Sequence, residues 1–187
     1  MSLASQLIQP PEVSAPRLLG TVLVSELGSS PVTVKISEVE AYRGEDDPAS
    51  HAFRGRTGRN GSMFEVPGTL YVYRSYGVHW CANVAVGPKG TGWAILFRGG
   101  DVIDGMATAR SRRGRDDHLA NGPGKLCQAL GIDGSHDGIN LLEAGSPLRL
   151  EPGTPPQMVM ATPRVGITKA QDLPWRFVAA TSSANGS

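Results

Sequence analysis

Apolar positions in this chain change period several times, and each change marks an element. Ser14-Ala15-Pro16 reads as a helix start, with Leu18 and Leu19 as its apolar face and Gly20 as its stop. An apolar strand follows over residues 21–25. Over residues 32–42 the pattern has period two: Val34, Ile36, Glu38, Glu40 and Tyr42 share one face, while Lys35 and Ser37 point the other way. A strand whose first half enters the core would then present carboxylates and a ring at the core's rim. Residues 43–66 lose all period and are rich in Gly, Arg, Asn and Asp. A segment that long inside a compact domain is functional or disordered. His51, Phe53, Met63 and Phe64, as anchors, favour the first.

Pro67-Gly68 marks a turn into a strand over 69–73, and Ser75-Tyr76-Gly77 is a tight connection to a second strand over 78–86. The pair is a hairpin with a tyrosine at its tip. Residues 93–98 form another strand, apolar until it ends in Arg98, and 104–113 form a helix with Asp104 as N-cap. Asn121-Gly122-Pro123 opens a further helix with Leu126, Ala129 and Leu130 inward and Gly131 as its stop. Short strands are expected at 148–150 and 158–162. There is no internal repeat and no sign of a second domain. Residues 1–13 read as a flexible arm, 14–178 as the folded domain and 179–187 as a frayed tail.

Composition narrows the class. A chain of 187 residues with 40% hydrophobic and 19% charged residues can bury one core without staples. With 24 glycines and 14 prolines, many turns and short elements are expected. Cys81 and Cys127 form no C-x-x-C pair and sit among apolar residues, as buried thiols do in a reducing compartment. No run approaches the roughly 18 apolar residues of a membrane span, and the N-terminus lacks the pattern of a secretory signal. The expectation is a cytoplasmic protein. Net charge is +1, which by itself argues against a polyanionic partner. Locally the balance differs: Arg54, Arg56 and Arg59 crowd one loop, and Arg110, Arg112, Arg113 and Arg115 another, against Asp116 and Asp117. Such loops grip phosphates or form a solvated arginine face.

All four tyrosines, Tyr42, Tyr71, Tyr73 and Tyr76, lie between residues 42 and 76. With His51, Tyr42 and Tyr73 could line a slot for a planar ligand, and a cationic ring would be held best. Tyr71 and Tyr73 share a strand face, one as slot and the other as core. Tyr76 has little to pack against and suits a wedge into stacked bases. Glu40 is the candidate general base or else an exposed strand-end carboxylate; Glu38 competes for that role or is structural. Arg98 has three readings: a phosphate partner, a carboxylate partner of a residue such as Glu40, or a structural ion pair. Lys125, in the first turn of a helix, could join free amides on a phosphate. The four histidines show no metal-ligand spacing, and no cofactor motif is present.

An ordered series of motifs sharpens this picture. It comprises Glu38-Val39-Glu40-Ala41-Tyr42, Asp47-Pro48-Ala49-Ser50-His51, Gly55-Arg56-Thr57-Gly58-Arg59-Asn60, Met63-Phe64 and Pro67-Gly68-Thr69-Leu70-Tyr71-Val72-Tyr73. Tyr76-Gly77, Cys81-Ala82-Asn83, Leu96-Phe97-Arg98, Asn121-Gly122-Pro123-Gly124-Lys125-Leu126 and Ala129-Leu130-Gly131-Ile132 complete it. Over residues 17–177 the chain resembles the 3-methyladenine DNA glycosylases of the alkyladenine type. The resemblance implies an α+β fold: one compact domain with a mostly antiparallel, curved, open barrel-like sheet, surrounding helices and a protruding hairpin.

It also implies a monomeric enzyme, needing neither metal nor cofactor, that flips damaged purines out of duplex DNA and hydrolyses the N-glycosidic bond. Glu40 would be the base that activates water, and Arg98 would help hold that water and a nearby phosphate. Tyr42, His51 and Tyr73 would sandwich the base, the His51 backbone would touch its edge, and Asn83 would crowd the 2-amino group of guanine. Tyr76 would fill the gap in the helix, with Arg56, Arg59 and Lys125 on phosphates. No lysine sits at a motif position suited to a Schiff base, which implies hydrolysis without strand cleavage. Two departures stand out: Gly58 replaces a usual proline, and Gly99-Gly100-Asp101 is unusually glycine-rich, leaving Asp101 or Asp104 to supply an acid there. The competing hypothesis is a non-catalytic nucleic-acid-binding module, and Glu40 discriminates, because binding alone has no use for a carboxylate facing an anionic ligand.

Overall fold

The computed structural model describes residues 2–180. Eight strands form a single curled sheet in which every pairing is antiparallel. In chain order they are β1 (Val22–Ser25), β2 (Val32–Arg43), β3 (Leu70–Ser75), β4 (His79–Val86), β5 (Trp93–Asp104), β6 (Leu148–Glu151), β7 (Met158–Thr162) and β8 (Arg176–Ala180). The main path runs β3-β4-β5-β2-β1-β6, while β8 joins β2 beyond β1 and carries β7. Four α-helices accompany the sheet among the described residues: α1 (Leu3–Leu7), α2 (Pro11–Leu18), α3 (Met106–Arg113) and α4 (Pro123–Leu130). The α+β reading, the antiparallel sheet and the hairpin are all present.

The main core joins Val34, Ile36, Val39, Ala41 and Phe97 of the sheet to Leu18 of α2 and Leu126 and Leu130 of α4. Ala52, Met63, Phe64, Tyr71 and Ala94 form a smaller cluster, with Tyr73 packed against it. This second cluster lies under the long 43–66 segment and pins it. Ala52 and the Met63-Phe64 pair supply the anchors; Phe53, expected among them, is 40% exposed.

The alternation expected along β2 breaks in the middle. Ile36 faces Gly100 and Glu38 faces Gly99, so Ser37 has no partner; Val39 then faces Phe97, so Arg98 has none. These paired irregularities switch which positions face the core: Val34 and Ile36 do so before them, Val39 and Ala41 after. Glu38, Glu40 and Tyr42 are thereby turned off the main-core face. Bulges re-aim side chains in this way beside functional sites. Gly100 is what lets the strands approach here, because a Cβ on it would lie 2.4 Å from the Lys35 carbonyl oxygen.

Other boundaries moved. The expected N-terminal arm is helical: Ser2 caps α1, Leu7 is fully buried, and the Ser14 hydroxyl ties the two helices through the Gln6 carbonyl at 2.7 Å. α2 starts at Pro11, not near Ser14, because Pro11 takes the first-turn position where a missing N–H costs nothing. β5 continues past Arg98 to Asp104, so Arg98 is mid-strand and Gly105, not Asp104, precedes α3. β8 had no clear sequence signal, and it takes in Ala179 and Ala180 of the expected frayed tail; residues 181–187 lie outside the described residues.

Candidate active site

A cleft of about 620 Å³ opens where β2, β3, β4 and the middle of β5 meet the 47–51 and 165–169 loops. Glu40 lies at its inner wall, with no exposed surface of its own. Its Oε2 accepts the Tyr42 hydroxyl at 2.8 Å, and its Oε1 accepts the Val165 backbone N–H at 2.8 Å. Arg98 Nη1 stands 3.4 Å from the same Oε1. A carboxylate offers about four acceptor positions, and the two hydrogen bonds do not fill them.

Arg98 also donates from Nε to Glu38 at 2.9 Å, and Arg176 Nε reaches the same Glu38 oxygen at 2.6 Å. Glu38 is thus held between two arginines. Burial opposes the charge of Arg98, yet Glu40 and Glu38 outweigh it and raise its pKa. Asp101 and Asp104 do not supply an acid here: they oppose Lys35 and Thr33 on the exposed stretch of β5, away from the cleft.

The aromatic residues divide by position. Tyr71 is 1% exposed and belongs to the smaller core cluster; Tyr73 stacks on it at 5.6 Å and turns toward the cleft. His51 meets Tyr73 edge-on at 4.5 Å, and its Nδ1 lies 3.1 Å from the Tyr71 hydroxyl. Its carbonyl accepts the Asn60 side-chain amide at 2.9 Å, which fixes the loop backbone. Burial raises all three cleft phenols, with Tyr71 pushed up to about 12 and the Glu40 carboxylate adding to the rise at Tyr42. Burial and Arg59 lower His51. At neutral pH the aromatic side chains of the slot are therefore uncharged.

Asn83 is 4% exposed, donates to the Tyr71 carbonyl at 3.1 Å and lines the same cleft. Tyr76 stands at the hairpin tip, 91% exposed, at φ 48° beside Gly77 at φ 69°. Two successive positive φ values make the primed turn that suits a hairpin's twist.

The proposed phosphate contacts separate. Arg59 lines the cleft and donates to the Arg74 carbonyl at 3.3 Å. Arg56 is paired with Glu65 at 2.9 Å and is not part of the cleft. Lys125 is hydrogen-bonded to Asn121 at 3.0 Å, just beyond the cleft-lining Pro123. The arginines of α3 are tied internally: Arg112 to the Ala129 and Leu27 carbonyls, Arg113 to Gln128, and Arg110 to Asp116, while Arg115 just beyond pairs with Asp117. Gly58 has nothing within 4 Å of a would-be Cβ, so the missing proline leaves no gap in packing.

Sequence reasoning missed three features. The 165–169 loop supplies a whole wall of the cleft, including Lys169. Arg164, immediately before it, is buried against Asp47. Cys81 lines the cleft as well, a free buried thiol whose pKa burial pushes up. Asp47 and Cys81 lay within recognised motifs; Arg164 and its loop carried no comparable signal. Among the described residues, no three His, Cys, Asp or Glu side chains gather as a metal ion would require, and no helix is long and apolar enough to cross a membrane.

A family model described as methylpurine-DNA glycosylase matches residues 5–183. Relatives bearing the provisional name 3-methyladenine DNA glycosylase include one from Streptomyces avermitilis, 46% identical over 87% of this chain and 80% of its own. One from Nocardia farcinica is 46% identical over 96% of this chain and 87% of its own. A third, from Mycobacterium tuberculosis, is 45% identical over 93% and 87%. Coverage this complete includes every residue of the cleft, and the chain belongs to the methylpurine-DNA glycosylase family of DNA-repair hydrolases acting on N-glycosyl bonds.

Proposed function

We propose that this protein, acting as a monomer, flips alkylated purines such as 3-methyladenine and 7-methylguanine out of duplex DNA and hydrolyses their N-glycosidic bond. The observation that carries the reading is Glu40: a carboxylate held by two hydrogen bonds and the Arg98 ion pair, at the inner wall of a cleft sided by Tyr42, Tyr73 and His51. A water on a free acceptor position would give its proton to Glu40 as it attacks the sugar carbon and the purine departs with the bonding electron pair. The sugar becomes cationic as the bond breaks, and Glu40 and a neighbouring phosphate stabilise it.

Flipping costs a few kcal/mol of stacking and pairing. Tyr76, exposed at the hairpin tip, offsets part of that cost by filling the gap. Alkylation at N3 or N7 makes the purine cationic, so neutral aromatic walls favour it and it leaves without needing a proton. Asn83 would crowd the 2-amino group of guanine, and Arg98 would share the water between Glu40 and a phosphate.

The test is release of free base from alkylated duplex by wild type and Glu40→Gln. Wild type should release 3-methyladenine and leave an intact abasic strand, with Glu40→Gln slower by at least about a hundredfold. Equal release by both would remove Glu40 from the role, and no release by either would favour a module that only binds. Borohydride trapping of a protein–DNA adduct would replace water with an amine nucleophile, for which Lys169 on the cleft wall is the candidate.

A further inference from the structure

Arg164 is the one buried arginine among the described residues. Its Nη1 donates to Asp47 Oδ2 at 2.5 Å and to the Ala41 carbonyl at 2.9 Å, and its Nη2 donates to Asp47 Oδ1 at 2.9 Å. The guanidinium lies 4.7 Å from the Tyr42 ring centre and 5.3 Å from that of Trp175. Asp47 also accepts the backbone N–H of Ala49 at 3.0 Å and of Arg43 at 3.3 Å. Both side chains of the pair are fully shielded from solvent.

Stability alone is a poor reason for such a pair. Removing each ion from water costs several kcal/mol, and apolar replacements of buried pairs are often neutral or better. What the pair accomplishes is geometric. Ala41 lies between Glu40 and Tyr42 on β2. Asp47 begins the loop that carries Pro48, Ala49 and His51 along the cleft. Arg164 directly precedes Val165, whose N–H holds Glu40. One guanidinium therefore fastens together the three segments that surround the carboxylate.

We propose that Arg164 is a positioning residue for Glu40: its bidentate pair with Asp47 and its bond to Ala41 hold the 163–167 loop where the Val165 N–H fixes Glu40 Oε1, and its place over Tyr42 keeps the phenol hydroxyl on Oε2. The inference rests on Glu40 as the base that activates water. Misplacing a catalytic group by about 1 Å can cost a hundredfold in rate, so the pair acts on the chemical step rather than on DNA binding.

Arg164→Lys keeps the charge opposite Asp47 but cannot span both carboxylate oxygens and the Ala41 carbonyl. In single turnover on a duplex containing 3-methyladenine it should release base about tenfold slower, with affinity for an abasic duplex within about twofold of wild type. The double variant Asp47→Asn with Arg164→Met leaves no unpaired buried charge and should be slower still while keeping its circular dichroism spectrum. A wild-type rate in either folded variant overturns the proposal, as does a fall in rate matched by an equal fall in affinity. If the double variant does not fold, Arg164→Lys alone decides. Undiminished release by Glu40→Gln in the same assay would instead remove the reading of Glu40 on which this one rests.

Discussion

The Tyr42 hydroxyl donates to Glu40 at 2.8 Å from two residues along the same strand. Their side chains share a face because of the strand's pleat, and that face reaches the cleft because of the irregularities at Ser37 and Arg98. Burial and the neighbouring carboxylate raise the phenol's pKa, so it stays protonated and keeps donating. Tyr42 is thus a ring on the cleft wall and a hydrogen-bond partner of the carboxylate at once.

Tyr42→Phe keeps the ring and removes the donor. Hydrogen bonds to charged groups contribute about 1.5–3 kcal/mol, so single-turnover base release should fall roughly ten- to a hundredfold. Affinity for damaged duplex should change less than about threefold, since the stacking surface remains. An unchanged rate would make the bond incidental.

Tyr76→Ala should weaken binding to abasic duplex more than binding to single-stranded DNA, because only the duplex offers a gap to fill. Equal loss on both would sink the wedge role. Its thermal midpoint should not fall, since the side chain is 91% exposed and alanine meets the positive φ no worse than tyrosine does.

His51 should titrate below 6.5, the ordinary histidine value, because burial and Arg59 both disfavour its charge. The unfolded chain then binds this proton more readily than the fold does. The stability His51 contributes is complete above pH 6.5 and is lost as pH falls from there through its lowered midpoint. NMR titration of the ring checks this, and Arg59→Gln should move the midpoint upward. A midpoint above 6.5 in wild type would contradict the burial argument.

Salt dependence should separate the loop arginines. Arg59 lines the cleft and has no carboxylate partner among the described residues, whereas Arg56 lies outside the cleft and shares Glu65 with Lys89. Arg59→Ala should lower the slope of log affinity against log salt by about one, and Arg56→Ala should leave it nearly unchanged. The reverse result would mean that Glu65 releases Arg56 when DNA binds.

Local patterns in the chain were enough for much of this architecture. The hairpin and its exposed Tyr76 follow from β-formers flanking Ser75-Tyr76-Gly77, and α4 follows from Gly122-Pro123, its apolar stripe and Gly131. Pro16 reads as a helix opener in the sequence, but it lies inside α2, whose first-turn position Pro11 already fills. β8, five residues without strong alternation, becomes a strand only because β2 and β7 provide edges on both sides.

By itself the sequence determined which chemical groups this protein has and which short elements carry them: Glu40 and Tyr42 two apart on a strand, His51 in a long loop, Tyr73 and Tyr76 on a hairpin. Only the tertiary structure decided which way they point. The cleft-facing parity of Glu40 depends on the register of β2 against β5, which pairs Ile36 with Gly100. The bond from Val165 and the Arg164–Asp47 pair join residues 125 and 117 positions apart. Periodicity reports on neighbours along the chain, whereas register and buried ion pairs are settled by sheet closure and by the need to satisfy charge away from water.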